Sequence, residues 1–403
     1  MAVVTVDKST GFAAVPAQLD EVLGWFARMR EGDPVSWDER YGAYHVFRYA
    51  DIEKVLSDPA TFSSDLTGLV PPQEEIELFS RGNFVRMDPP RHTKMRRIVS
   101  KAFTPRVVAG LAPRIEAITN ELLDQVAGRE SVDLVQALAY PLPVTVIAEL
   151  IGVPGSDRDT FRRWADELLN AQVPDTVIPD EKTMQQAGAR LRGMIDYLLA
   201  HIRHRRANPA DDLTNALIEA EVDGERLTDE EIVGFLGVLL IAGHITTTTL
   251  LTNTVLSLDA NPGAAAALRA DPQRIPAALE EVLRHRSPFP RLARLTTADA
   301  TVGDRRVPAG KVLMLWVASA NRDAAQFVEP DTFDITRTPN PHLSFGHGIH
   351  FCIGAPLARL EGRIAMEVLL RRCGDLSVDD GVRLYDPRMM TGARVLPVRV
   401  RWS

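Results

Sequence analysis

The sequence predicts a mainly α-helical chain with small β-sheets. Residues 110–220 place apolar side chains at helical period. A long apolar run, Ile232 to Leu251, follows a helix-capping sequence. Strand-like stretches are short and scattered. In chain order, Gln18 to Arg30 reads as a helix and Tyr44 to Tyr49 as a strand. Asp51 reads as the cap of a short helix through Leu56. Residues 60–85 are loop-like around Pro71-Pro72, and a loop of that length inside a compact domain is functional or disordered. Pro141 and Pro143 start a helix that Gly152 and Pro154-Gly155 end. Ala171 to Lys182 reads as a polar, proline-containing break. Thr228-Asp229-Glu230-Glu231 is a capping box. The helix behind it is apolar nearly all round, so it should run through the core. Pro276 to His285 reads as a short helix, Gly303-Asp304 as a turn and Val312 to Val317 as an apolar strand. Residues 384–402 read as a terminal hairpin turning near Met390-Thr391. Residues 1–20 form an irregular segment and 21–403 one domain.

Bulk properties exclude some classes. A net charge of −8 argues against a nucleic-acid binder, which would carry a basic stripe. Two cysteines among 403 residues form no disulfide framework, so a reducing cytoplasm is the natural setting. Met1 to Asp20 has no basic segment leading into an apolar run, so no signal peptide is expected. No 18 consecutive residues are apolar, so no membrane span is expected.

The chemistry concentrates at Ser344-Phe345-Gly346-His347-Gly348-Ile349-His350-Phe351-Cys352-Ile353-Gly354, ahead of a helical stretch. Helix N-terminal N–H groups favour a thiolate over a thiol, which suits Cys352 to binding a metal. Three plainer readings stand beside this. Cys352 could be an inert buried thiol. With His347 and His350 it could hold zinc, although a structural zinc site wants a fourth ligand. Gly346-x-Gly348 could be half of a dinucleotide fingerprint, although its third glycine is misplaced.

Three other stretches break their local rules. In Asp88-Pro89-Pro90-Arg91-His92-Thr93-Lys94-Met95-Arg96-Arg97, His92 and Arg96 share one helical face. They form either a solvated basic face or an anion site. In the apolar helix, Gly243 costs about 1 kcal/mol against alanine, and four consecutive threonines, Thr246 to Thr249, are poor helix formers. Such inconsistency marks function, or hydroxyls that bond back one turn and bend the helix. Glu281 and Arg284 are three apart, a commonplace pair by itself.

Taken together, these stretches resemble the cytochrome P450 superfamily over residues 20–402. Phe345-Gly-x-Gly-x-His350-x-Cys352-x-Gly354 resembles its haem-binding loop. Ala242-Gly243-His244-Ile245-Thr246-Thr247 is similar to its oxygen-binding helix signature, and Glu281-x-x-Arg284 to its bracing pair. Among its members the chain looks most like soluble bacterial hydroxylases that tailor macrolides and other polyketides.

The resemblance implies a haem b held between the long central helix and the cysteine-loop helix, with Cys352 as the iron ligand. It implies that His92, Arg96, Arg294 and His350 hold the propionates, with Arg291 as the rival of Arg294. Phe345, Gly346 and Gly354 shape the loop. Ala242 and Gly243 make room for O2, and Thr246 helps deliver protons. Ile245 departs from the pattern, because an acidic residue is usual there. Val85, Arg86, Met87, Leu239, Ala242, Phe289, Leu292, Met390 and Thr391 line the substrate pocket. Glu281, Arg284 and Arg337 brace the fold. The implied activity is hydroxylation or epoxidation of an unactivated carbon in a small-molecule natural product, with O2 and two electrons from a ferredoxin and its reductase. Arg91, Lys94, Arg97 and Lys101 form a basic patch that could steer an acidic redox partner. The resemblance also leaves room for a peroxide-driven fatty-acid peroxygenase, and for a haem-binding partner protein without turnover. No nucleic acid or membrane is an expected partner, and the expected setting is cytoplasmic.

Overall fold

The long apolar run folds as one helix, Asp229–Ala260, with a satisfied start. The Glu231 N–H donates to the Thr228 hydroxyl (3.2 Å), and the Thr228 N–H donates to the Glu231 carboxylate (3.0 Å). In the computed structural model, which describes residues 18–157, 159–161, 163–164 and 177–403, this helix is the centre of the molecule. Helices Glu74–Ser80, Pro141–Ile151, Glu181–Ala207, Ile275–His285 and Ala355–Arg372 pack around it. Among the described residues it is the one helix long and apolar enough to cross a membrane. Its most apolar window is 72% buried, so core packing accounts for its composition.

Close approach decides one crossing. A Cβ on Gly234 would come within 2.5 Å of the Gly82 backbone nitrogen, and one on Gly82 would fall within 2.8 Å of the Glu231 carbonyl carbon. Two facing glycines therefore let the 79–82 turn lie directly on the central helix. That contact anchors the segment leading to Val85, Arg86 and Met87.

The strands form small sheets beside the helices. One five-stranded sheet runs in the order Val35–Asp38, Ala43–Val46, Val312–Leu315, Leu292–Thr296, Phe62–Ser63. Only the pairing of Ala43–Val46 with Val312–Leu315 is parallel. A three-stranded antiparallel sheet joins Cys373–Val378, Pro397–Trp402 and Ser131–Asp133.

Most predicted elements are present within two or three residues of the expected ends, and the differences have physical causes. The short helix begins at Tyr49, so Asp51 lies inside its first turn. Its first N–H donates to the Asp323 carboxylate (2.9 Å), a cap from a distant segment that no local pattern reveals. The terminal hairpin is two structures. Arg383–Leu384 pairs with Ala393–Val395, whereas Pro397–Trp402 pairs with Cys373–Val378 and Ser131–Asp133. The expected break at 171–182 lies outside the described residues for its first six positions, and a helix starts at Glu181, capped by Asp180. The irregular segment expected at 1–20 lies outside them for residues 1–17.

Candidate active site

The cysteine loop is built by backbone that only glycine adopts easily. Gly346 and Gly348 have φ of 73° and 67°. A Cβ on Gly348 would stand 2.6 Å from the Leu56 carbonyl oxygen. The Cys352 N–H donates to the Phe345 carbonyl (2.9 Å), which fixes the cysteine at the start of helix Ala355–Arg372. Cys352 keeps exposed surface, while the protein around it desolvates the thiol. Burial pushes its pKa up, while backbone N–H groups of Gly354 and Ala355 and the charges of Arg96 and Arg359 pull it down. A Cβ on Gly354 would lie 3.8 Å from that sulfur. Behind the loop, Arg359 sits over the Phe345 ring (4.6 Å) and forks onto Glu280 (2.7 and 2.8 Å). His342 Nε2 lies 3.1 Å from the same carboxylate. These bonds hold the Glu280 pKa down to about 2 against the opposing effect of burial. Sequence reasoning missed this unit, because its members come from three separate segments.

A cluster of cationic and imidazole groups borders the cleft. His92 and Arg96 project from helix Arg91–Ala102, and the His92 and His350 rings lie 4.2 Å apart. Phe84, absent from the sequence reading, fills the space behind them. Arg96 lies over its ring (5.6 Å), and the rings of His92 and Phe235 are each 6.0 Å away. Both ring nitrogens of His92 and Nη1 of Arg96 are buried without a hydrogen-bond partner. Among the described residues, Arg294 donates only to the neighbouring Ala293 carbonyl (2.7 Å). Burial lowers the His92 and Arg96 pKa values and takes Arg294 down to about 10. Burial, followed by the charges of His92, Arg294 and Arg96, lowers His350 to about 3. Asp88 is the one carboxylate whose charge reaches His92 and Arg294. Its oxygens are taken by the Ser63 hydroxyl and the Ser64 N–H. The cluster therefore has unused donors and wants an anion. Arg291 is not part of it. Its guanidinium goes to the Tyr41 hydroxyl (3.3 Å) and the Trp316 ring (5.8 Å).

The central helix supplies the facing wall. Ala242 is exposed in the middle of a mostly buried helix, and the half-buried Thr246 lies one turn further on the same face. The Thr246 hydroxyl donates to the Ala242 carbonyl (2.7 Å), and Thr247 and Thr248 bond back in the same way (3.0 and 2.9 Å). Back-bonding and a place on the cleft thus hold together at Thr246. A Cβ on Gly243 would meet the Ile147 side chain at 2.8 Å, so the glycine also lets Ile147 lie close against the helix. Ile245 is buried.

The pocket residues divide. Val85 (48% exposed), Phe289 (42%) and Arg86 are open, and Leu292 is half-buried. Leu239, Met390 and Thr391 are buried, with the Thr391 N–H donating to the Pro288 carbonyl (3.2 Å). Met87 is 3% exposed and packs in the hydrophobic core. The four residues of the expected basic patch are exposed, each with a local partner. Arg97 pairs with Asp223 (2.5 Å), Lys94 with Glu225 (2.6 Å), and Lys101 donates to the Glu221 carbonyl (2.8 Å). Arg91 donates to the Arg81 carbonyl (2.9 Å).

Glu281 and Arg284 are fully buried and paired at 2.7 Å. Arg284 also donates to the carbonyls of Asn321, Pro330 and Thr332 (2.9, 2.7 and 3.0 Å). Arg337 reaches Glu281 at 3.2 Å.

Comparison with known proteins gives the same family from three directions. The family described as Cytochrome P450 matches residues 35–394. Erythromycin C-12 hydroxylase of Saccharopolyspora erythraea is 46% identical over 398 residues, 98% of this chain and 97% of that protein. Cyclomarin C epoxidase CymV of Salinispora arenicola is 44% identical, over 94% of this chain and 95% of that protein. The solved structure of a mutant of P450 EryK in complex with erythromycin B superposes with a TM-score of 0.89 at 45% identity, covering 95% of this chain and 97% of that one. The chain belongs to the cytochrome P450 family: it is a haem-iron monooxygenase that uses O2, redox partners and a small-molecule substrate.

Proposed function

We propose that this enzyme hydroxylates or epoxidises an unactivated carbon of a macrolide or other polyketide in the cytoplasm, with electrons from a ferredoxin and its reductase. The observation that carries the reading is the set of unused donors on His92 and Arg96 on the cleft that also exposes Cys352. Such donors fit the two carboxylates of haem b. In this reading Cys352 ligates the iron, while His92, Arg96, Arg294 and His350 hold the carboxylates by charge-assisted hydrogen bonds. When bound, a haem-thiolate supplies O2 activation and C–H oxidation. The protein supplies position and dryness. Phe289, Leu292 and Leu239 offer apolar surface that orients the substrate and excludes water. Ala242 leaves space beside the reacting centre. Thr246 holds its hydroxyl proton on the Ala242 carbonyl, which leaves the oxygen lone pairs to accept from water. Ile245 supplies no acid, so protons come through Thr246 and ordered water. Gly346 and Gly354 keep the loop close to the cofactor, and Phe345 backs the cysteine.

The test is spectroscopic. The reduced enzyme with carbon monoxide is expected to show the red-shifted Soret band of a thiolate ligand, and Cys352→Ser to abolish it. A histidine-type spectrum in the wild type would sink the reading.

A further inference from the structure

The turn Phe84–Arg86 carries one charged group to which the proposed function gives no chemical role. Its backbone is fixed: it is a 3-10 turn, and the Arg86 N–H donates to the Asn83 carbonyl (3.0 Å). The Arg86 side chain makes no hydrogen bond or ion pair among the described residues. Two carboxylates stand in the neighbourhood, and both are committed. Asp65, whose charge reaches Arg86, accepts from the Thr67 N–H (2.9 Å) and hydroxyl (2.5 Å). Asp88 is held by Ser63 and Ser64.

Arg86 has exposed surface, yet nearby protein crowds its guanidinium. Surrounding protein desolvates it enough to lower its pKa, and its charge in turn lowers that of Arg294. It also differs from the cofactor-side cluster. His92 and Arg294 are 2% and 7% exposed and Arg96 and His350 are half-buried, whereas Arg86 keeps open surface beside the open Val85. Among the described residues, the other expected pocket positions carry no charge: Val85, Met87, Leu239, Ala242, Phe289, Leu292, Met390 and Thr391 are apolar or hydroxyl-bearing. In an apolar pocket, a single polar group with unused donors decides how the ligand is oriented. Its five N–H donors form a planar fork that matches a carboxylate.

We propose that Arg86 is a specificity-determining residue for substrates that combine an apolar body with a carboxylate. The carboxylate docks on the guanidinium, and the apolar body extends past Phe289 and Leu292. This deepens the reading of the cleft as a natural-product oxidation site and rests on it.

Spectral titration of the haem-loaded enzyme tests it with two matched pairs, deoxycholate against its methyl ester and dodecanoate against methyl dodecanoate. The acid of at least one pair is expected to bind ten-fold or more tightly than its ester. Arg86→Gln is expected to weaken the acid at least ten-fold and to leave the ester within two-fold. Equal affinity of acids and esters, no binding of either acid, or an acid affinity unchanged in Arg86→Gln would each overturn the proposal. Haem content per chain is measured in the same variant. Full loading is expected, and a haem-poor protein would reassign Arg86 to the cofactor carboxylates and overturn it. A wild type without the thiolate-type carbonyl spectrum would instead remove the underlying reading, so the two failures are distinguishable.

Discussion

At the scale of single residues, the question is how a cleft without an acid at Ile245 handles protons. Thr246 is the one hydroxyl placed both on the cleft face and next to Ala242. We predict that Thr246→Ala leaves haem content and the carbonyl spectrum intact but diverts electron flow from product to hydrogen peroxide. Peroxide released per NADPH should rise several-fold, and Thr246→Ser should restore much of the coupling. Unchanged peroxide release in the alanine variant would remove Thr246 from proton handling. The residues around it were legible to very different degrees. Cys352, His92 and Arg96 announce themselves because their chemistry is rare at those spacings. Phe84 does not, since a phenylalanine in a loop carries no signal until helix Arg91–Ala102 folds against it. The choice between Arg294 and Arg291 needed the fold as well, because only the folded strand turns one towards His350 and the other towards Trp316.

At the scale of elements, two buried ionisable groups have opposite meanings. Arg284 is saturated by Glu281 and three carbonyls, so it ties helix Ile275–His285 to the 321–332 segment. Removing one partner of a buried pair strands the other charge and costs about 3–5 kcal/mol. Arg284→Ala should therefore lower the thermal midpoint by many degrees and yield haem-poor protein. An unchanged midpoint would show the brace to be dispensable. The sequence suggested this pair, but only its total burial makes it strong.

Glu361, on the cysteine helix, has no hydrogen-bond partner for either oxygen among the described residues, and burial pushes its pKa up to about 8. The sign follows from proton counts. Between the ordinary carboxylate value and about 8, the native chain keeps a proton that the unfolded chain has released. Stability is therefore complete below that window and falls as pH rises through it, by up to about 1.4 kcal/mol per pH unit. We predict that Glu361→Gln flattens this decline. Urea midpoints at pH 5 and pH 8 should lie closer together in the variant than in the wild type. An equal gap in both would show that Glu361 titrates normally.

At the scale of the whole molecule, charge is arranged against its own basic helix. The chain carries a net −8, and its basic residues at 94 and 97 are neutralised by Glu225 and Asp223 at the 221–226 hairpin. The sequence displayed the basic run, but nothing in it showed that an acidic turn more than 120 residues later folds back over that run. Exposed pairs of this kind contribute about 0–1 kcal/mol to stability, so removing the acids should hardly move the melting temperature. They matter more for the field an approaching protein meets, which governs association rates and is screened by salt. The double variant Asp223→Asn, Glu225→Gln frees Lys94 and Arg97. With an acidic iron–sulfur donor as the probe, stopped-flow reduction at low ionic strength should accelerate a few-fold, and the gain should vanish at high salt. A rate independent of these substitutions at every ionic strength would place the electron-donor contact on another face.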